Sequence, residues 1–76
     1  MEIIEKTFNA LRLAQRSHKG RILECVIDPE SRLELLRSDP YDNPYNELNN
    51  TMFGYNVIYK DWDEATHQDP YWVIKV

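Results

Sequence analysis

Ile22-Leu23-Glu24-Cys25-Val26-Ile27-Asp28-Pro29-Glu30 is the stretch on which the fold turns. Successive side chains of a strand point to opposite faces, so Leu23, Cys25 and Ile27 share one face and Ile22, Glu24 and Val26 the other. Apolar side chains on both faces predict a strand over 21–27 that lies centrally in its sheet, or one with its second face partly covered. Asp28-Pro29-Glu30 is then a helix start. Asp28 caps, Pro29 suits the first helical position, and Glu30 complements the positive end of the helix dipole. This helix is predicted over 29–37, burying Leu33 and Leu36 with Leu35 beside them.

Upstream, residues 2–18 read as a helix. Ile4, Phe8 and Leu11 recur at spacings of four and three, and Ile3, Ala10 and Ala14 widen the apolar stripe. Glu2 and Glu5 stand in the first turn and Arg16, His18 and Lys19 in the last, which suits the dipole at both ends. Gly20 supplies the stop. Basic residues at a helix C-terminus are expected on electrostatic grounds alone, so His18-Lys19-Gly20-Arg21 is a weak phosphate site.

Downstream, Ser38-Asp39-Pro40 ends the second helix, because a residue before proline is pushed out of helical dihedrals. Residues 39–50 carry two prolines, four asparagines and no base, which predicts a long loop. Residues 51–60 read as one strand with Phe53, Tyr55, Val57 and Tyr59 on one face and Met52, Gly54, Asn56 and Ile58 on the other. Gly54 marks a bulge or a close backbone approach. Residues 61–69 form a connection with room for a helical turn around Trp62–Thr66. Residues 70–76 form the last strand, Trp72, Ile74 and Val76 alternating with Tyr71, Val73 and Lys75. The order helix, strand, helix, strand, strand predicts a two-layer α+β domain spanning 1–76, with two helices on one face of a three-stranded, mostly antiparallel sheet.

The chain of 76 residues has a net charge of −4, and that charge is unevenly spread. From Asp39 onward seven acids face two bases, whereas the first half carries six acids and seven bases. Eight of the nine aromatics also lie after residue 38. Net acidity argues against direct nucleic-acid binding, which relies on clustered Lys and Arg to displace counterions. No window approaches the roughly 20 apolar residues of a membrane span, and the N-terminus lacks a signal-peptide pattern, so the expectation is a cytoplasmic protein.

Chemistry-bearing constellations are few. Asp61-Trp62-Asp63-Glu64, with His67 and Asp69, is the densest set of possible metal ligands. A calcium loop would need a further ligand at 65 and a glycine at 66, where the chain has Ala65 and Thr66. Zinc would favour several His or Cys. The segment therefore reads as a solvated acidic connection, and no metal or cofactor is expected. Cys25 reads as a buried thiol, since a reactive one needs a basic, partly exposed setting. No Cys–His pair, Ser nucleophile motif or Gly-rich loop is present, and no enzyme is expected. Tyr41, Tyr45 and Trp62 lie in predicted connections, where two readings stand: they fold back over the sheet edge, or they form an exposed anchor among carboxylates.

Asp28-Pro29-Glu30 followed by Leu33 and Leu36, then Phe53-Gly54-Tyr55-Asn56-Val57, resembles short proteins of tailed phages. The second part is similar to an aromatic-Gly-X-X-Val strand of some phage capsid proteins. The resemblance covers a short part of the chain and implies a phage or mobile-element origin, in which small acidic proteins bind and block proteins of a bacterial host. It carries over no functional residue.

The expectation is thus a non-enzymatic protein-binding module, an inhibitor or modulator of a host protein. Tyr41, Asp42, Tyr45, Glu47, Asp61, Trp62, Asp63 and Glu64 would meet a partner with a basic, nucleic-acid-handling surface. Carboxylates would speed encounter and the aromatics would supply most of the binding energy. The alternative is a self-assembling structural or virion accessory subunit, a homodimer pairing through the aromatic strand Phe53–Tyr59. A metal-dependent enzyme built on Asp61, Asp63, Glu64 and His67 is the third reading.

Overall fold

The strand predicted to be central is central. In the computed structural model, which describes residues 2–38, 41, 43–60 and 67–75, β1 (Leu23–Ile27) is flanked on both edges. It runs parallel to β4 (Tyr55–Tyr59), with Cys25 opposite Val57, and antiparallel to β5 (Tyr71–Ile74), with Cys25 opposite Trp72. Leu23, Cys25, Val26 and Ile27 are all buried, as an interior strand requires.

The sheet is larger and more mixed than the three-stranded, mostly antiparallel one expected. Two short strands, β2 (Tyr45–Asn46) and β3 (Thr51–Met52), extend it to five in the order β2-β3-β4-β1-β5. β2 lies inside the stretch expected to be a loop. It pairs antiparallel with β3 across residues 47–50, where Asn46 Oδ1 accepts the Asn49 N–H at 3.1 Å and Asn50 takes a left-handed φ of 52°. Asparagine tolerates that conformation and caps the turn with its own amide, which is why an Asn-rich segment can close a hairpin.

The strand expected over 51–60 is instead a hairpin. Phe53 and Gly54 adopt φ of 51° and 82°, both positive, and join β3 to β4 with Met52 opposite Tyr55. Two positive-φ residues between paired strands form the tight turn whose twist matches the sheet. Gly54 is thus a turn residue rather than a bulge. The turn breaks the alternation, so Met52 shares a face with Tyr55 instead of opposing it, and Met52 is fully buried.

Both helices pack on one face. Ile3 of α1 (Glu2–Ser17) and Leu35 of α2 (Pro29–Leu36) join Cys25, Ile27, Tyr45 and Met52 in one buried cluster, and Cys25 and Ile27 point to the same side of β1. The ends of α1 match expectation, with Gly20 in the left-handed region past its last turn at φ 77°. Its buried stripe is rotated, however, and runs through Ile3, Thr7 and Leu11, while Phe8 is at the rim against Phe53 with ring centroids 5.4 Å apart. Thr7 can be buried because its hydroxyl donates to the Ile3 carbonyl at 2.7 Å. Its small side chain also lets Trp72 approach closely enough for the indole N–H to donate to the Thr7 carbonyl at 3.0 Å.

The second helix is rotated too. Ser31 and Leu35 are its buried residues, whereas Leu33 and Leu36, expected in the core, are 47% and 40% exposed. Asp28 caps the helix by accepting the Ser31 N–H at 2.8 Å, and the Ser31 hydroxyl donates to the Gln68 carbonyl at 3.1 Å. These polar ties turn the 28/31/35 row inward and leave the leucines at 33 and 36 outside.

Candidate interaction surface

Where α2 ends, Asn43 welds the helix to the edge of the sheet. Its side-chain N–H donates to the Leu35 carbonyl at 2.7 Å and its Oδ1 accepts the Tyr45 N–H at 3.0 Å. A groove runs beside this weld, between the C-terminal turn of α2 and the β2–β3 hairpin. Leu36 and Leu48 rim it, Asn46 and Tyr45 line it, and Glu47 is the charged residue on its wall. Leu48 is 95% exposed, on a four-residue loop held by the Asn46 side chain and by the Asn50 N–H donating to the Glu47 carbonyl at 3.3 Å. Leu33 and Leu36 continue the apolar surface along α2.

Behind the groove a polar network fixes the hairpin to α2. The Tyr59 hydroxyl donates to Asn50 Oδ1 at 3.1 Å, which leaves the Tyr45 hydroxyl to donate to Tyr59 at 2.6 Å. The Arg32 guanidinium pairs with the Glu47 carboxylate and lies over the Tyr59 ring, 5.7 Å from its centroid. Burial, with the bond from Tyr45, pushes the Tyr59 phenol up to about 12.

The sequence-derived candidates are thus divided. Tyr41 is 93% exposed, just past α2. Glu47 is exposed but engaged by Arg32. Tyr45 is buried at 6% exposure, so its ring packs in the core and offers no anchor at the surface. Asp42, Asp61, Trp62, Asp63 and Glu64 lie outside the described residues, as does the helical turn expected at Trp62–Thr66. The groove-lining Leu36 and Leu48 were not among the sequence-derived candidates: Leu36 reads as core from its spacing, and Leu48 is an isolated leucine in a polar loop.

A second polar cluster was also invisible in sequence. Asp28 Oδ2 accepts the Gln68 N–H at 2.6 Å and stands 3.2 Å from His67 Nδ1, which also lies 3.1 Å from Glu30 Oε2. Burial alone would raise the Asp28 carboxyl, but the N–H groups of Gln68 and Ser31 and the nearby His67 hold it below the usual carboxylate range. The pair could orient an imidazole as a base. The Ser31 hydroxyl, however, is fully buried and donates to the Gln68 carbonyl. Beyond His67 an open crevice is lined by Lys6, Gln68, Asp69 and Tyr71, where Lys6 bridges Asp69 at 3.5 Å and Glu2 at 3.1 Å.

The Cys25 thiol is fully buried and pushed up to about 12 by that burial, so it is no nucleophile in the folded chain. Among the described residues no group of three His, Cys, Asp or Glu is placed to hold a metal ion, and no helix is long and apolar enough to cross a membrane. Comparison of the chain with protein-family models, curated proteins and solved structures finds no match.

Proposed function

We propose that the chain is a small protein-binding module without catalytic chemistry, and that it docks a partner in the groove between α2 and the β2–β3 hairpin. One observation carries this reading. Leu48 is almost wholly exposed on a loop whose own hydrogen bonds hold it, beside the half-exposed Leu36, so the two leucines line one groove together. A preorganised apolar pair needs little ordering on binding.

The occupant is a basic segment carrying an apolar side chain. The chain is net −4, and its acids outnumber bases seven to two after residue 38. Such a field attracts cationic surfaces over distance, and a basic, nucleic-acid-handling face of a host protein has that character. The inhibitor role expected from the tailed-phage resemblance is the specific form of this proposal.

The test compares the wild-type chain with Leu36→Ser/Leu48→Ser as bait in bacterial lysate. Both positions are exposed, so folding should change little, which circular dichroism checks. The proposal expects a partner retained by the wild type, released by salt and absent from the variant. Equal recovery of every captured protein by both baits would refute it.

A further inference from the structure

The strand Phe53–Tyr59 offers little open edge for self-pairing, because β4 lies between β3 and β1 and is paired in part on each side. The two outer strands are β2 and β5, and they differ. β2 has two residues, is preceded by Pro44, and its outward Tyr45 N–H is already taken by Asn43 Oδ1. Such an edge resists pairing.

β5 is also preceded by a proline, Pro70, but it is four residues long and its outward backbone groups are not taken by a neighbouring side chain among the described residues. The Lys75 N–H donates to the Ile22 carbonyl at 2.8 Å, and antiparallel pairs alternate, so Val73 and Tyr71 also bond inward to Glu24 and Val26. The N–H and C=O groups of Trp72 and Ile74 therefore point away from β1, and no described residue pairs with them.

We propose that β5 pairs antiparallel with β5 of a second copy of this chain about a twofold axis at Val73, making one continuous sheet. The outward groups are self-complementary in this register. Trp72 of each copy exchanges both backbone bonds with Ile74 of the other, and Val73 faces Val73. Lys75 of one copy comes opposite Tyr71 of the other on the helix-free face, where Tyr71 already receives a cation, Lys60 Nζ, 5.2 Å from its ring centroid. The axis also joins the apolar strips of that face, on which Ile22 is 65% and Tyr71 37% exposed. β2 is at the far side of the sheet from β5, so the dimer leaves both grooves open and would present them as a bivalent pair. The pairing does not depend on the groove reading.

Sedimentation of the wild-type chain tests the dimer, and single cysteines test its register. In Val73→Cys the two Cα atoms would stand about 4.5 Å apart in a non-hydrogen-bonded pair, within disulfide range. In Tyr71→Cys the two cysteines would lie roughly 13 Å apart. Cys25 is fully buried and stays out of the reaction. The expected result is a concentration-dependent mass of two chains and a mild-oxidant cross-link in Val73→Cys but not in Tyr71→Cys. Ile74→Pro removes an outward N–H while sparing the bonds to β1, and edge strands accept proline there. It should weaken dimerisation roughly thirtyfold through one lost bond per copy. Should that variant misfold, Val73→Lys places like charges face to face at the axis and should also disfavour the dimer. A wild-type chain that stays monomeric at its solubility limit overturns the proposal, as does cross-linking of Tyr71→Cys equal to that of Val73→Cys.

Discussion

Removing the Asp28 carboxylate should cost this domain a large part of its stability, because one buried side chain does the work of a helix cap and of a tertiary clasp. Asp28 is 3% exposed; Oδ1 accepts the Ser31 N–H at 2.8 Å and Oδ2 the Gln68 N–H at 2.6 Å. Loss of an N-cap costs about 1 kcal/mol. A hydrogen bond to an ionised acceptor contributes about 1.5–3 kcal/mol. Asp28→Ala should therefore destabilise by about 3 kcal/mol, against a total of about 4–11 kcal/mol for a chain of this length. The melting temperature should fall by roughly 12–24 °C. Asp28→Asn keeps an acceptor for Ser31 and should cost about half as much.

The pH dependence has a defined sign. The folded-state carboxyl is depressed, so its contribution is complete above the unfolded aspartate value of about 4 and is lost as pH falls through the folded value. Urea unfolding followed by circular dichroism across acidic pH should show a steeper acid loss in the wild type than in Asp28→Asn. A cost below about 0.5 kcal/mol for Asp28→Ala would refute the clasp, since that is the scatter of featureless surface sites.

Three further outcomes follow from the packing. Gly54→Ala should cost about 1 kcal/mol in a denaturant titration, because φ of 82° strains any L side chain even though an added Cβ meets no neighbour; an unchanged midpoint would count against the turn. Met52→Ala, at a fully buried site, should lose about 2–5 kcal/mol, whereas Leu33→Ala, at 47% exposure, should lose under about 1 kcal/mol; the reverse order would return Leu33 to the core. Cys25 should resist thiol reagents in the native state and react at once in denaturant, being buried with its thiol pushed up to about 12; rapid native labelling would contradict its position in β1.

The elements governed by neighbours in sequence were legible. The capped start of α2 at Asp28-Pro29, the stop of α1 at Gly20 and the central place of β1 each follow from local sterics, helix-end donors or two-sided apolarity. The two-residue strands β2 and β3 were not legible, because periodicity needs more residues than either contains. Nor was the surface: Tyr45 lies in a stretch that reads as a connection, and nothing local reports that its ring enters the core beneath α2.

The α+β class, the extent of both helices and the strand at the centre were set locally, by contacts within a turn or by alternation along one segment. Which side of each helix is inside depended on contacts between distant segments. Ser31 is buried where Gln68, distant in the chain, arrives to accept its hydroxyl, and that rotation puts Leu33 and Leu36 at the surface; on α1, whose Thr7 hydroxyl is satisfied within the helix, the arriving Trp72 indole takes the Thr7 carbonyl. Long-range polar partners decide rotation where apolar residues lie on more than one face of a helix, since each orientation buries similar apolar area but few satisfy every buried polar group.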